Sequence, residues 1–280
     1  MPALTADAGD DIARGISRKS LLFWIFLILA ANAVSGLILR AITESGAATA
    51  VLSTFGVSAI VWAALAAGLV LIGQGEKSHR AKPLDIAVSG AGCVLAMLPI
   101  ANISSVAITL FASYVILNSD RGSSVRRGAV ILLAVTTNLI WGRLILGLFS
   151  RDFLFIDAFL ISNLTGSQQA GNTIPFIGQP GLIVVSPGCS SLQGISLAII
   201  AWVTVTQWFR VRTTPRSLIW CGLALLAAIG VNVVRIAALV RFPTYFEEIH
   251  VGWGAQLAAY TTMAAIIAIV LWGARREIFE

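Results

Sequence analysis

The chain has 280 residues, of which 58% are hydrophobic and 11% charged, and its mean hydropathy is +0.89. That composition excludes an ordinary water-soluble domain and places the chain in a bilayer. The net charge of +6 does not mark a nucleic-acid binder, because the basic residues fall in short clusters between apolar runs, as juxtamembrane anchors do.

Residues 1–20 are polar, with Arg14, Arg18 and Lys19 leading into a long apolar stretch and no small-residue cleavage site at a suitable distance. They read as a cytoplasmic segment before an uncleaved first membrane helix. A spanning helix needs about 20 mostly apolar residues, and such runs fall at 21–40, 48–73, 84–100, 103–118, 129–149, 189–209, 217–240 and 255–273. The stretch PIANISS at 99–105 is a tight hairpin between two short spans or a kink.

The charges give an independent test. With the N-terminus in the cytoplasm, the inner segments carry Arg14, Arg18, Lys19, Lys77, Arg80, Lys82, Arg121, Arg126, Arg127, Arg210, Arg212, Arg216, Arg275 and Arg276, whereas the outer ones carry only Arg40, Arg151 and Arg241. The positive-inside rule requires that asymmetry. The expectation is an all-α polytopic membrane protein of about eight transmembrane helices, both termini cytoplasmic, with residues 1–280 forming a single transmembrane domain.

The one long outer segment, 150–188, is the extracytoplasmic loop. It opens with RDFLFIDAFLISNL, which suits an amphipathic interfacial helix, and continues through GSQQAGNTIPFIGQPGLIVVSPG, whose Gly, Pro and β-branched residues read as strand, turn, strand. It delivers the chain to Cys189 and to the helices of 189–273.

Polar residues at membrane depth are costly and point to function. Arg143 and Arg235 are the two arginines inside predicted spans. Arg143 lies within about two turns of its helix end, so an interfacial anchor and a functional residue are both open readings. Arg235 shares a helix face with Asn232 at i,i+3, which is either a helix–helix contact or a functional pair. The topology brings Cys189, Arg235 and His250 to one side of the membrane, while Cys221 lies about 21 Å deeper on the helix of Arg235 and Cys93 is mid-span. The three cysteines therefore form no disulfide framework, and Cys and His spacing supports no metal site. No metal or organic cofactor is implied. A thiol at a helix N-terminus near a cation becomes nucleophilic, a histidine can move its proton, and an arginine fork suits an oxyanion or a substrate carbonyl. Ser190 and Ser191 are alternative nucleophiles that would need a stronger base.

The stretches GNTIPFIGQPGLIVVSPGCSSLQGISLAII, NVVRIAALV and IHVGWGAQL resemble the exosortase/archaeosortase family of membrane transpeptidases, over about residues 171–260. The resemblance implies a membrane cysteine protease/transpeptidase that cuts the C-terminal sorting signal (PEP-CTERM type: a short motif, a membrane helix and a basic tail) of exported proteins. The acyl group passes through a Cys acyl-enzyme to a membrane lipid or other acceptor. It also implies a multi-pass protein of the bacterial inner membrane with its site facing the periplasm. Cys189 would be the nucleophile, Arg235 and His250 its catalytic partners, and Asn232 and Ser190 supporting residues, with Arg143 a possible addition. Two departures stand out: the family usually shows Cys-Ser-Gly where this chain has Cys189-Ser190-Ser191, and His250 follows Arg235 closely. A polytopic transporter lined by the arginines and Asn232, or a non-catalytic scaffold of a surface-polysaccharide or export system, are the rival readings.

Overall fold

The computed structural model describes residues 17–75, 80–98 and 102–279. Residues 1–16 of the expected cytoplasmic segment, with Arg14, therefore lie outside the described residues, as do Lys77, His79 and positions 99–101 of the expected hairpin. The described residues are helical almost throughout, with one two-stranded antiparallel ribbon. They gather into two compact units that divide after Thr136.

The first unit contains α1 (Arg18–Ser45), α2 (Ala47–Leu52), α3 (Ala59–Gly73), α4 (Pro83–Met97), α5 (Ile103–Leu117) and α6 (Ser124–Thr136). The span expected at 48–73 is broken. Thr54, Phe55 and Gly56 all take positive φ, and the Thr54 hydroxyl donates to Val57 O at 2.6 Å while Trp62 Nε1 donates to Thr54 O at 3.1 Å. Side chains thus satisfy carbonyls that a helix would otherwise bond, and Ser58 restarts the helix by accepting from the Ile60 N–H. The helices α1, α4 and α5 meet at Asp85, which is fully buried. It accepts from Arg18 Nε at 3.2 Å, the Tyr114 hydroxyl at 2.9 Å and the Lys82 backbone N–H at 2.9 Å. Helices α3 and α6 pack through glycines: a Cβ on Gly128 would lie 2.5 Å from the Gly68 carbonyl oxygen, so small residues set their closeness.

The second unit opens with a π-helical turn, Thr137–Trp141, and α7 (Gly142–Thr165). The expected end at 149 is passed: Phe149 bends the backbone, but the chain stays helical until Gly166, whose φ of +70° closes the last turn. The expected strand-turn-strand is present as β1 (Thr173–Pro175) and β2 (Leu182–Val184), with Ile174 opposite Ile183. A 3-10 turn, Pro187–Cys189, leads to α8 (Leu192–Trp208), α9 (Pro215–Arg241), the short α10 (Phe246–His250) and α11 (Trp253–Phe279). A Pro at the first position and a reciprocal Thr214/Ser217 capping box start α9. Gly194 of α8 lets α9 approach, since a Cβ there would meet Ala228 Cβ at 3.1 Å. Leu154, Ala158 and Ile161 of α7, Ile174 and Ile183 of the ribbon, Val185 just after it, and Ile236 and Val240 of α9 belong to one buried cluster that also contains Cys189.

Four helical stretches are long and apolar enough to cross a membrane: Arg18–Ser45, Ser124–Thr165, Pro215–Arg241 and Trp253–Ile278. Four more apolar helices, α3, α4, α5 and α8, have 15 to 17 residues, short of a full crossing by length. The chain is an all-α protein with the helices of an integral membrane protein.

Candidate active site

The thiol sits before α8, not on it. The sequence places Cys189 at a helix N-terminus, whereas Pro187 and Gly188 direct the backbone into a 3-10 turn that Cys189 closes, and Ser190 is extended, so the helix starts three residues later at Leu192. The thiol therefore feels less of the α8 dipole than a residue in the first turn would, because that field falls off within the terminal turn. Cys189 is 4% exposed. Its Sγ lies 3.5 Å from His250 Nε2, and the Ser186 hydroxyl donates to it at 3.6 Å.

His250 comes from the far end of α10, between α9 and α11. Its ring stacks on Phe246, with centroids 5.0 Å apart and planes 21° apart. That stacking sets the ring plane, and Nε2 faces the sulfur. An imidazole protonated on Nδ1 presents Nε2 as the acceptor.

Behind the turn runs a polar network that the sequence shows only in part. Asn232 Nδ2 donates to the Cys189 carbonyl at 2.7 Å and to Ser191 Oγ at 3.1 Å. Arg235 Nη2 donates to Asn232 Oδ1 at 3.1 Å, and Arg235 Nε is buried with no hydrogen-bond partner. Asn232 is thus the hub joining Arg235 to the thiol turn. Asp157, from the middle of α7, was missed: it is 4% exposed and accepts from the Ser191 N–H at 3.0 Å and the Ser191 hydroxyl at 2.7 Å. Its signal in the sequence was a lone carboxylate in the apolar run FLFIDAFLI. Ser186, which donates to the sulfur, was missed as well, and Ser191, read from the sequence as an alternative nucleophile, instead links Asp157 to Asn232. Ser190 is buried, and its hydroxyl accepts from the Leu192 N–H at 3.3 Å, at the first residue of the helix.

Arg143 stands apart from this cluster. It is exposed and lines a cavity of about 500 Å³ with Asn138, Gln193 and Ser196, which Pro187 and Leu192 also border. The cavity therefore borders the thiol turn through Pro187 and Leu192. A hollow of about 670 Å³ lined by Arg151, Asp152, Phe155, Gly171 and Asn172 includes none of the candidate catalytic residues. Cys93, Cys189 and Cys221 are all free thiols. Among the described residues no group of three His, Cys, Asp or Glu side chains could hold a metal.

No protein-family model, curated protein or solved structure matches this chain.

Proposed function

We propose that this protein is a membrane-embedded cysteine protease/transpeptidase that removes the C-terminal helix and basic tail of exported proteins. The observation that carries this reading is the Cys189 Sγ to His250 Nε2 approach of 3.5 Å, a nucleophile–base pair assembled from segments 61 residues apart and backed by Arg235 through Asn232. In this reading the eight apolar helices all lie in the inner membrane of a bacterium, with both termini cytoplasmic and the thiol facing the periplasm. The charge asymmetry supports that orientation.

The chemistry follows from the donors that remain available. His250 Nε2 takes the thiol proton as Sγ bonds to the scissile carbonyl carbon, whose π electrons move to oxygen. The backbone N–H groups of Cys189, Ser190 and Ser191 are bound to Ser186 O, Pro187 O and Asp157, so they do not serve as an oxyanion hole. Arg235 Nε, buried and unpartnered, supplies the donor in their place. Collapse of the intermediate breaks the C–N bond, and His250 gives its proton to the leaving amine. The thioester is then attacked by water or an acceptor amine; the C–S bond breaks and the thiol recovers a proton. The cavity beside Pro187 and Leu192 offers room for residues flanking the scissile bond.

The test is to express wild type and Cys189→Ala in the native host and follow, by intact mass, an exported protein that ends in an apolar helix and basic tail. Loss of the tail with wild type alone is expected. Equal processing in both strains would refute the nucleophile assignment and favour a transporter or scaffold.

A further inference from the structure

We propose that Asp157 is a positioning residue for the thiol turn and for Arg235, acting through Ser191 and Asn232; the proposal rests on Cys189 being the nucleophile. A carboxylate only accepts hydrogen bonds. Asp157 Oδ1 therefore receives the Ser191 hydroxyl proton at 2.7 Å, and Oδ2 receives the Ser191 N–H at 3.0 Å. With its proton committed, Ser191 Oγ is left to accept, and it takes Asn232 Nδ2 at 3.1 Å.

The Asn232 amide is thereby turned one way. Its nitrogen faces Ser191 and the Cys189 carbonyl, 2.7 Å away, and its oxygen faces Arg235 Nη2. A flipped amide would set an NH₂ against the guanidinium and leave the Cys189 carbonyl without its donor. The Cys189 carbonyl and the guanidinium ask for the same orientation, and the carboxylate on α7 adds a third constraint to it through Ser191, three links from Arg235. Burial makes the choice of residue informative. Asp157 has no ion-pair partner among the described residues, and a lone buried carboxylate is costly to keep. An asparagine would fill the same space without that cost, yet it could donate to Ser191 and so release the direction of the Ser191 link, leaving the Cys189 carbonyl and Arg235 alone to hold the amide.

The experiment compares Asp157→Asn, Asn232→Asp, the double variant, Ser191→Ala and Cys189→Ala in the full-length protein. Thermal midpoint and the rate of tail removal from the same host protein are both measured. Asp157→Asn and Asn232→Asp each lower the midpoint and slow processing about 100-fold, the scale of a misplaced catalytic group. In the double variant the amide at 157 donates to Ser191, whose hydroxyl donates to the carboxylate at 232, which also receives Arg235. The midpoint recovers, while processing stays slow because the Cys189 carbonyl has lost its donor. Ser191→Ala keeps the backbone bond to Asp157 but leaves one carboxylate oxygen without its donor, so it lowers the midpoint and slows processing. Wild-type processing by Asp157→Asn, or rates that simply follow the midpoint through every variant, would overturn the proposal. Normal processing by Cys189→Ala would instead remove the nucleophile reading, and the midpoint recovery of the double variant still judges the hydrogen-bond chain.

Discussion

Four consecutive backbone N–H groups around the thiol, from Cys189 to Leu192, are each hydrogen-bonded within the chain. On the proposed mechanism a tetrahedral oxyanion formed at Cys189 takes its donor from a side chain, and Arg235 Nε is buried without a hydrogen-bond partner. Replacing Arg235 with Lys keeps a charge but removes the planar fork. The expected outcome is a loss of about 100-fold in the rate of tail removal, measured by intact mass, with the protein still folded. A rate within a few-fold of wild type would assign the oxyanion to another group. Cys189, Asn232, Arg235 and His250 were legible in the sequence because each is a reactive or polar type in apolar surroundings, and because helical spacing fixes the Asn232–Arg235 face. Asp157 was not. It lies in a segment whose charges, Arg151 and Asp152, make an interfacial helix the natural reading, and its partner Ser191 is 34 residues away, a pairing that no local pattern encodes. Ser186 likewise reads as turn chemistry until the turn folds its hydroxyl back onto the sulfur.

At the scale of elements, most helices followed from apolar runs and their caps, and the ribbon from its Gly and Pro punctuation. The break at residues 53–58 did not, because TFGVS is too apolar to interrupt a hydropathy window; side-chain bonds to carbonyls made the break possible. The start of α8 was misplaced by three residues for a related reason. Pro187 and Gly188 specify a turn, but where that turn yields to helix depends on Ser190 accepting from Leu192. In the first unit, α1, α4 and α5 are tied at Asp85. Changing Asp85 to Ala leaves Arg18, whose side chain is 16% exposed, with its bonds to Asn118 O and Ser119 Oγ but takes the acceptor from the Tyr114 hydroxyl and the Lys82 N–H, and is expected to destabilise the protein by about 2 kcal/mol. A clear drop in thermal midpoint without change in the chemistry of Cys189 is the predicted result. An unchanged midpoint would show that the node contributes nothing net.

For the whole molecule, broad apolar exposure is the dominant physical feature: Leu39, Leu52, Met97, Leu117, Leu148 and Leu226 are each more than 60% exposed. Such side chains belong against lipid, as the composition required. The proposed topology makes a sharp prediction. A fluorescent reporter inserted at 212–213, between α8 and α9, should mature in the cytoplasm, and alkaline phosphatase inserted at 168–169, after α7, should be active on the other side. Both reporters working on one side would contradict the orientation on which the thiol's outward placement depends. The central claim, an acyl-enzyme on Cys189, is tested most directly with hydroxylamine, which intercepts thioesters. Added during processing, it should place a hydroxamate on the new C-terminus of the trimmed protein in wild type and yield no trimmed product with Cys189→Ala. Trimming that proceeds without hydroxamate, or that continues with Cys189→Ala, would contradict the account.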